Sequence, residues 1–107
     1  MQKVEAIIRP EKLAIVKAEL EEVDHGGMTL TEVRGHGVQR GVTEQWRGKT
    51  FAIDYLTKVK IELVIRDEEV QSVIDAIVEA ARTDEVGDGK IFVTAVAQAV
   101  RIRTGET

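Results

Sequence analysis

An internal repeat at an offset of 57 constrains this chain more than any other feature. Val4-Glu5-Ala6-Ile7-Ile8-Arg9-Pro10-Glu11 lies over Ile61-Glu62-Leu63-Val64-Ile65-Arg66-Asp67-Glu68, with four identical pairs (Glu5/Glu62, Ile8/Ile65, Arg9/Arg66, Glu11/Glu68) and matched apolar positions. Each copy reads as a short apolar strand that stops at Arg and turns into a helix. Pro10 suits a first helical turn, where its missing N–H is no loss, and Asp67 is a capping residue type. Leu13, Val16, Leu20 and Val23 recur at helical spacing after the first strand; Val70, Val73, Ile74, Ile77 and Ala81 do so after the second. Gly26-Gly27 is expected to end the first helix and Arg82-Thr83-Asp84 the second. Strand candidates follow at 28–33 and 91–96, and 100–104 reads as a short extra strand. The expected fold is α+β, ferredoxin-like βαββαβ: a four-stranded antiparallel sheet with two helices on one face.

Composition narrows the functions open to such a fold. The 107 residues suit one domain with one core. No apolar run reaches membrane-spanning length and the first residues do not read as a signal peptide, so a cytoplasmic location is expected. A net charge of -4 argues against a general nucleic-acid binder. The absence of cysteine removes disulfides, zinc fingers and thiol catalysis, and the one serine, Ser72, lies in a helical pattern without a nearby His. His25 and His36 have no companions at metal-ligand spacing. No catalytic residue is expected, and the chain does not read as an enzyme.

Glycine marks two segments where a ligand or partner could come close. From 34 to 50 the chain has no period, with glycines at 35, 37, 41 and 48 and basic residues at 34, 40, 47 and 49. A long connection of this kind is usually functional, mobile or simply a set of turns. Trp46 and Phe51 add apolar bulk, suited to a partner surface or to packing back on the domain. Farther on, Gly87-Asp88-Gly89-Lys90 follows the second helix and leads into a strand. Exposed N–H groups plus a Lys suit phosphate oxygens, although a plain turn fits too. It is not a Walker A loop, since Ile91 follows the Lys and Asp84 holds the earlier Gly position. Arg101 and Arg103, two apart on the expected extra strand, would share a face and could grip neighbouring phosphates, or stand solvated on an edge. Lys58 is a further candidate for an anionic ligand, while Lys60 and Glu62 share a strand face and can pair.

Taken together, Val4-Glu5-Ala6-Ile7-Ile8-Arg9-Pro10, Gly27-Met28-Thr29, Thr31-Glu32-Val33-Arg34-Gly35, Gly37-Val38-Gln39, Lys58-Val59-Lys60-Ile61-Glu62, Ala81-Arg82-Thr83, Gly87-Asp88-Gly89-Lys90-Ile91-Phe92-Val93 and Arg101-Ile102-Arg103-Thr104-Gly105-Glu106 resemble the PII signal-transduction family of nitrogen regulators, GlnK type, over essentially the whole chain. The resemblance implies one PII-like domain over 1–107, with a T-loop at about 37–55, a B-loop at about 82–90 and a C-terminal loop at about 97–107. It implies a homotrimer that binds ATP or ADP between subunits. Gly87, Asp88, Gly89 and Lys90, with Arg101 and Arg103 of a neighbouring subunit, would hold phosphates. Ile7, Thr29, Gly35, Gly37, Glu62 and Val64 would line the nucleotide pocket. Gln39 would help hold Mg²⁺ at the phosphates, and Gln39, Gly41 and Lys58 would hold 2-oxoglutarate. Arg47 would enter the pore of an Amt-type ammonium transporter.

Four departures bear on that transfer. Phe51 stands where many bacterial members have a modifiable tyrosine, Lys49 replaces a serine phosphorylated in some relatives, Val38 replaces a phosphate-contacting Arg, and Thr57 replaces a common Pro. Two other readings stay open: a regulator of glutamine synthetase that does not bind a channel, and an ACT-like small-molecule module, which lacks the Gly-Asp-Gly-Lys loop with paired arginines. An RNA-recognition motif would need stacking aromatics on its central strands, and 59–66 has none. An acylphosphatase would need an Asn, and the chain has none.

Overall fold

The computed structural model describes residues 1–23, 27–36, 43–46, 49–52 and 55–107, with backbone alone at 35, 36, 43–46, 49–52 and 55. In chain order the elements are β1 (Gln2–Ile8), α1 (Leu13–Glu22), β2 (Thr29–His36), β3 (Thr43–Trp46), β4 (Lys49–Ala52), β5 (Tyr55–Ile65), α2 (Val70–Ala81) and β6 (Gly89–Ala95). The repeat survives in detail. A 3-10 turn leads into each helix, Pro10–Lys12 and Asp67–Glu69. Arg9 and Arg66 are extended, at φ -66 and -71, and the N–H of Lys12 and of Glu69 donates to their carbonyls at 3.0 Å in both cases. One expectation fails here. Asp67 does not cap, because Arg66 holds the position before the turn from which a side chain reaches the orphan N–H groups; its carboxylate accepts from the Met1 ammonium at 2.7 Å.

The four main strands run antiparallel in the order β2-β5-β1-β6, so the two repeat strands are central neighbours. Glu5 lies opposite Glu62, its own repeat mate, and the pseudo-dyad relating the two units therefore passes between them. Alternation along β1 and β5 sends Val4, Ala6, Ile8, Ile61, Leu63 and Ile65 to the buried face. Val16 and Leu20 of α1 and Val73, Ile77, Ala80 and Ala81 of α2 close over them. The fully buried helix positions Val16 and Val73, and Leu20 and Ile77, are again repeat mates.

Two strand readings are corrected. Residues 100–104 form no strand: 102–104 make a turn closed by the Gly105 N–H on the Arg101 carbonyl at 2.7 Å. Alternation alone cannot make a strand without a ladder partner, and Ile102 is left fully exposed. Conversely, the aperiodic stretch 34–50 contains structure of its own, since β3 and β4 pair as a separate two-stranded sheet with Trp46 opposite Lys49. Two residues between Thr- and aromatic-containing runs, the second a Gly, are a hairpin signal that the search for long periodicity overlooks.

The two units differ in length beyond the start of their helices. Thr29, which pairs with Glu62, comes 24 residues after Glu5, whereas Phe92, which pairs with Glu5, comes 30 after Glu62. Of the six additional positions, two lengthen α2, one lies in the loop 82–88, and three belong to the start of β6, which begins three residues before Phe92.

Candidate functional site

Because α1 and α2 cover one face of the sheet, the opposite face is left uncovered. On it Ile7 stands between Lys60 and Lys90. Glu62 stands between Thr29 and Glu5, with Phe92 beyond, and Val64 lies beside Lys3. Four residues expected to line one pocket, Ile7, Thr29, Glu62 and Val64, thus share this face with Lys90, expected to hold phosphates. Two ion pairs mirror each other about the pseudo-dyad: Lys3 with Glu5 at 2.8 Å and Lys60 with Glu62 at 3.3 Å. The hydrogen bond from Lys3 lowers the pKa of Glu5 and raises that of Lys3. Val64 and Phe92 remain about half exposed between the charges.

At the end of this face where β1 stops and β6 begins sits the loop 82–88, held by its own carboxylate. Asp88 Oδ2 accepts the N–H of Thr83 at 2.7 Å and of Asp84 at 3.0 Å. Its Oδ1 accepts Arg9 Nε at 3.1 Å and the Thr83 hydroxyl. These bonds, Thr83's foremost, hold the Asp88 carboxyl well below the usual carboxylate range. Arg9 also donates to the Val86 carbonyl at 2.9 Å, and Lys58 Nζ to the Gly87 carbonyl at 2.5 Å. Burial first, and then the neighbouring Arg9 guanidinium, push Lys58 below the ordinary lysine value. Gly87 and Gly89 adopt φ of +98 and +113, accessible to glycine without penalty.

Asp88 is therefore turned into its own loop, as an internal anion for Thr83, Asp84 and Arg9, rather than outward toward a ligand. That removes the obvious electrostatic objection to an anion beside an aspartate. The glycines and the exposed Lys90, which makes no ion pair among the described residues, remain available to it. A phosphate group fits this donor set. No group of three or more carboxylate or His side chains able to hold a metal ion occurs among the described residues. Arg101 and Arg103 are not brought to the loop within one chain. They follow the far end of β6, whose seven residues span about 20 Å. Gly37, Gln39, Gly41 and Arg47, like His25, lie outside the described residues, and Gly35 and His36 are described by backbone alone, near the end of β2. A groove of about 360 Å³ between α2 and β6 is lined by Ile8, Ile74, Ile77 and Ile91 and bordered by Asp88, Gly89 and Lys90 of the loop and strand start.

Arg9 and Thr83 are the residues that sequence reasoning missed. The signal lay in a break of the repeat. Arg66 is held locally by Glu69, three residues on, whereas the equivalent of Glu69 in the first unit is Lys12. A lysine there repels Arg9 and leaves it to reach across to Asp88.

The sequence profile described as Nitrogen regulatory protein P-II matches residues 1–106. A Nitrogen regulatory protein P-II of Rhodobacter capsulatus is 56% identical over 107 residues, covering 100% of this chain and 96% of that protein. Nitrogen regulatory protein P-II 2 of Methanothermobacter thermautotrophicus is 54% identical over 107 residues, 100% of this chain and 93% of its own length. A Nitrogen regulatory protein P-II of Nostoc punctiforme is 54% identical over 106 residues, 99% of this chain and 95% of its own.

Proposed function

The chain belongs to the nitrogen regulatory protein P-II family, and we propose that it is a non-enzymatic nitrogen regulator whose loop 82–90 binds the phosphates of ATP or ADP. The observation that carries this reading is the Gly87–Gly89 turn beside an exposed Lys90, with the inward Asp88 carboxylate already paired with Arg9 and hydrogen-bonded by Thr83. The nucleotide's base and sugar would lie along the uncovered face at Ile7, Thr29, Glu62 and Val64. Arg101 and Arg103 of a second subunit would complete the phosphate site in a homotrimer. Mg²⁺ would sit at the phosphates with Gln39, and Lys58 would exchange its contact with Gly87 for a carboxylate of 2-oxoglutarate. The output would be a partner such as an Amt-type ammonium transporter, engaged through Arg47 between β3 and β4.

Calorimetric titration with ATP tests the reading directly. A charge-assisted contact contributes roughly 1.5–3 kcal/mol, so Lys90→Ala is expected to weaken ATP binding by about one to two powers of ten. A wild-type chain that takes up no ATP or ADP, or a Lys90→Ala variant of unchanged affinity, overturns it. Binding of an amino acid in place of a nucleotide would favour an ACT-like module instead.

A further inference from the structure

Residues 88 and 89 form the one Asp-Gly pair in the chain, which has no Asn at all. Asp-Gly is the aspartyl sequence most open to succinimide closure, because glycine has no side chain to shield its amide nitrogen or to restrict the backbone that must rotate. In this structure the Asp88 carboxylate is turned back along the chain, and both of its oxygens are taken by donors of Thr83, Asp84 and Arg9. We propose that Asp88-Gly89 is an isoaspartate-forming site that the loop's own hydrogen bonds hold closed, and that it opens to reaction when those bonds are lost.

The chemistry needs nothing but water. The Gly89 nitrogen attacks Cγ of a protonated Asp88 carboxyl; an N–Cγ bond forms, and the carboxyl hydroxyl leaves with the amide proton as one water. The product is a five-membered succinimide. Water then adds to the ring carbonyl that was the Asp88 peptide carbonyl and breaks its bond to nitrogen. The chain now runs through Cγ, the α-carboxylate is free, and the net composition is unchanged. Both requirements of the first step, a neutral carboxyl and its approach to the following amide, are blocked by the same set of bonds.

The product cannot be absorbed quietly. An isoaspartyl residue adds one carbon to the main chain immediately before Gly89. The backbone there is seated so closely on β1 that a Cβ on Gly89 would fall 1.7 Å from the Ile7 carbonyl oxygen. The pairs Ile8 with Gly89 and Ile7 with Lys90 must then shift, and Lys90 is displaced with them. The inference does not depend on what the loop binds.

The test compares folded wild type, Thr83→Val and Arg9→Gln with a synthetic peptide of residues 82–92, incubated at neutral pH and physiological temperature. Isoaspartate is read by methyl transfer from an isoaspartyl methyltransferase, and its position by peptide mass mapping, which also detects the water-loss succinimide. Formation at residue 88 is expected to be about tenfold faster in the peptide and in both variants than in wild type, the factor by which a modest rise in carboxyl pKa raises its protonated fraction. Circular dichroism establishes that the variants are folded. Wild type reacting as fast as the peptide overturns the proposal, as do two folded variants reacting as slowly as wild type. If either variant unfolds, the other and the comparison of wild type with peptide decide.

Discussion

Gly89 has the least room of the glycines whose surroundings are described. Its φ of +113 and a Cβ clearance of 1.7 Å to backbone leave no side chain a place. Gly89→Ala is expected to lower the stability to urea by at least about 1–3 kcal/mol, the usual cost of a strained backbone position. A methyl group on Gly27 would meet nothing within 4 Å, so Gly27→Ala should stay within about 0.5 kcal/mol of wild type. Equal midpoints for the two variants would refute the assignment of Gly89 as the seat of the loop. Asp88 gives a second prediction. Its folded pKa is lowered, so its contribution is fully present above the ordinary aspartate value of 3.8 and is lost only as pH falls through the lower folded value. The amide resonances of Thr83 and Asp84 should therefore hold their shifts as pH passes 3.8. A midpoint at or above that value would mean the carboxylate is not held by these donors.

Among elements, the two β-turn-α units behave as copies, the second with a helix two residues longer. Leu20 and Ile77 are repeat mates and fully buried at the same depth of the core. Leu20→Ala and Ile77→Ala should each cost about 2–5 kcal/mol, as large-to-small core changes do. Ile15, half exposed on α1, should cost far less when replaced by Ala. Urea midpoints for the three variants check this, and an Ile15→Ala loss as large as Leu20→Ala would mean that α1 is rotated from the face described. What separates the two copies is the use of their arginines: Arg66 closes on its own helix through Glu69, whereas Arg9 crosses to the loop 82–88 and fixes it.

For the whole molecule, the uncovered sheet face is the feature that one chain leaves unfinished. Val64 and Phe92 stand half exposed there, among the paired charges of Lys3, Glu5, Lys60 and Glu62. If the proposed homotrimer assembles on this face, light scattering should give the mass of three chains for wild type and of one for Phe92→Asp, since burying an unpaired carboxylate is costly. A wild-type monomer rules the assembly out; a Phe92→Asp trimer moves it to another surface. No helix among the described residues is long and apolar enough to cross a membrane.

Much of this fold is written in local order. The offset repeat, the helical spacing of Val16, Leu20, Val73 and Ile77, and the glycines at 87 and 89 lie close together along the chain, so strand, helix and turn could be read without knowing what touches what. Contacts between distant residues carry no such signature. The ladder decided that Glu5 faces Glu62, and 100–104, with no partner strand among the described residues, turns rather than extends. The grip of Arg9 on Asp88 spans 79 positions. Only folding reveals it, because the free energy of an ion pair depends on separation and burial, not on order along the chain.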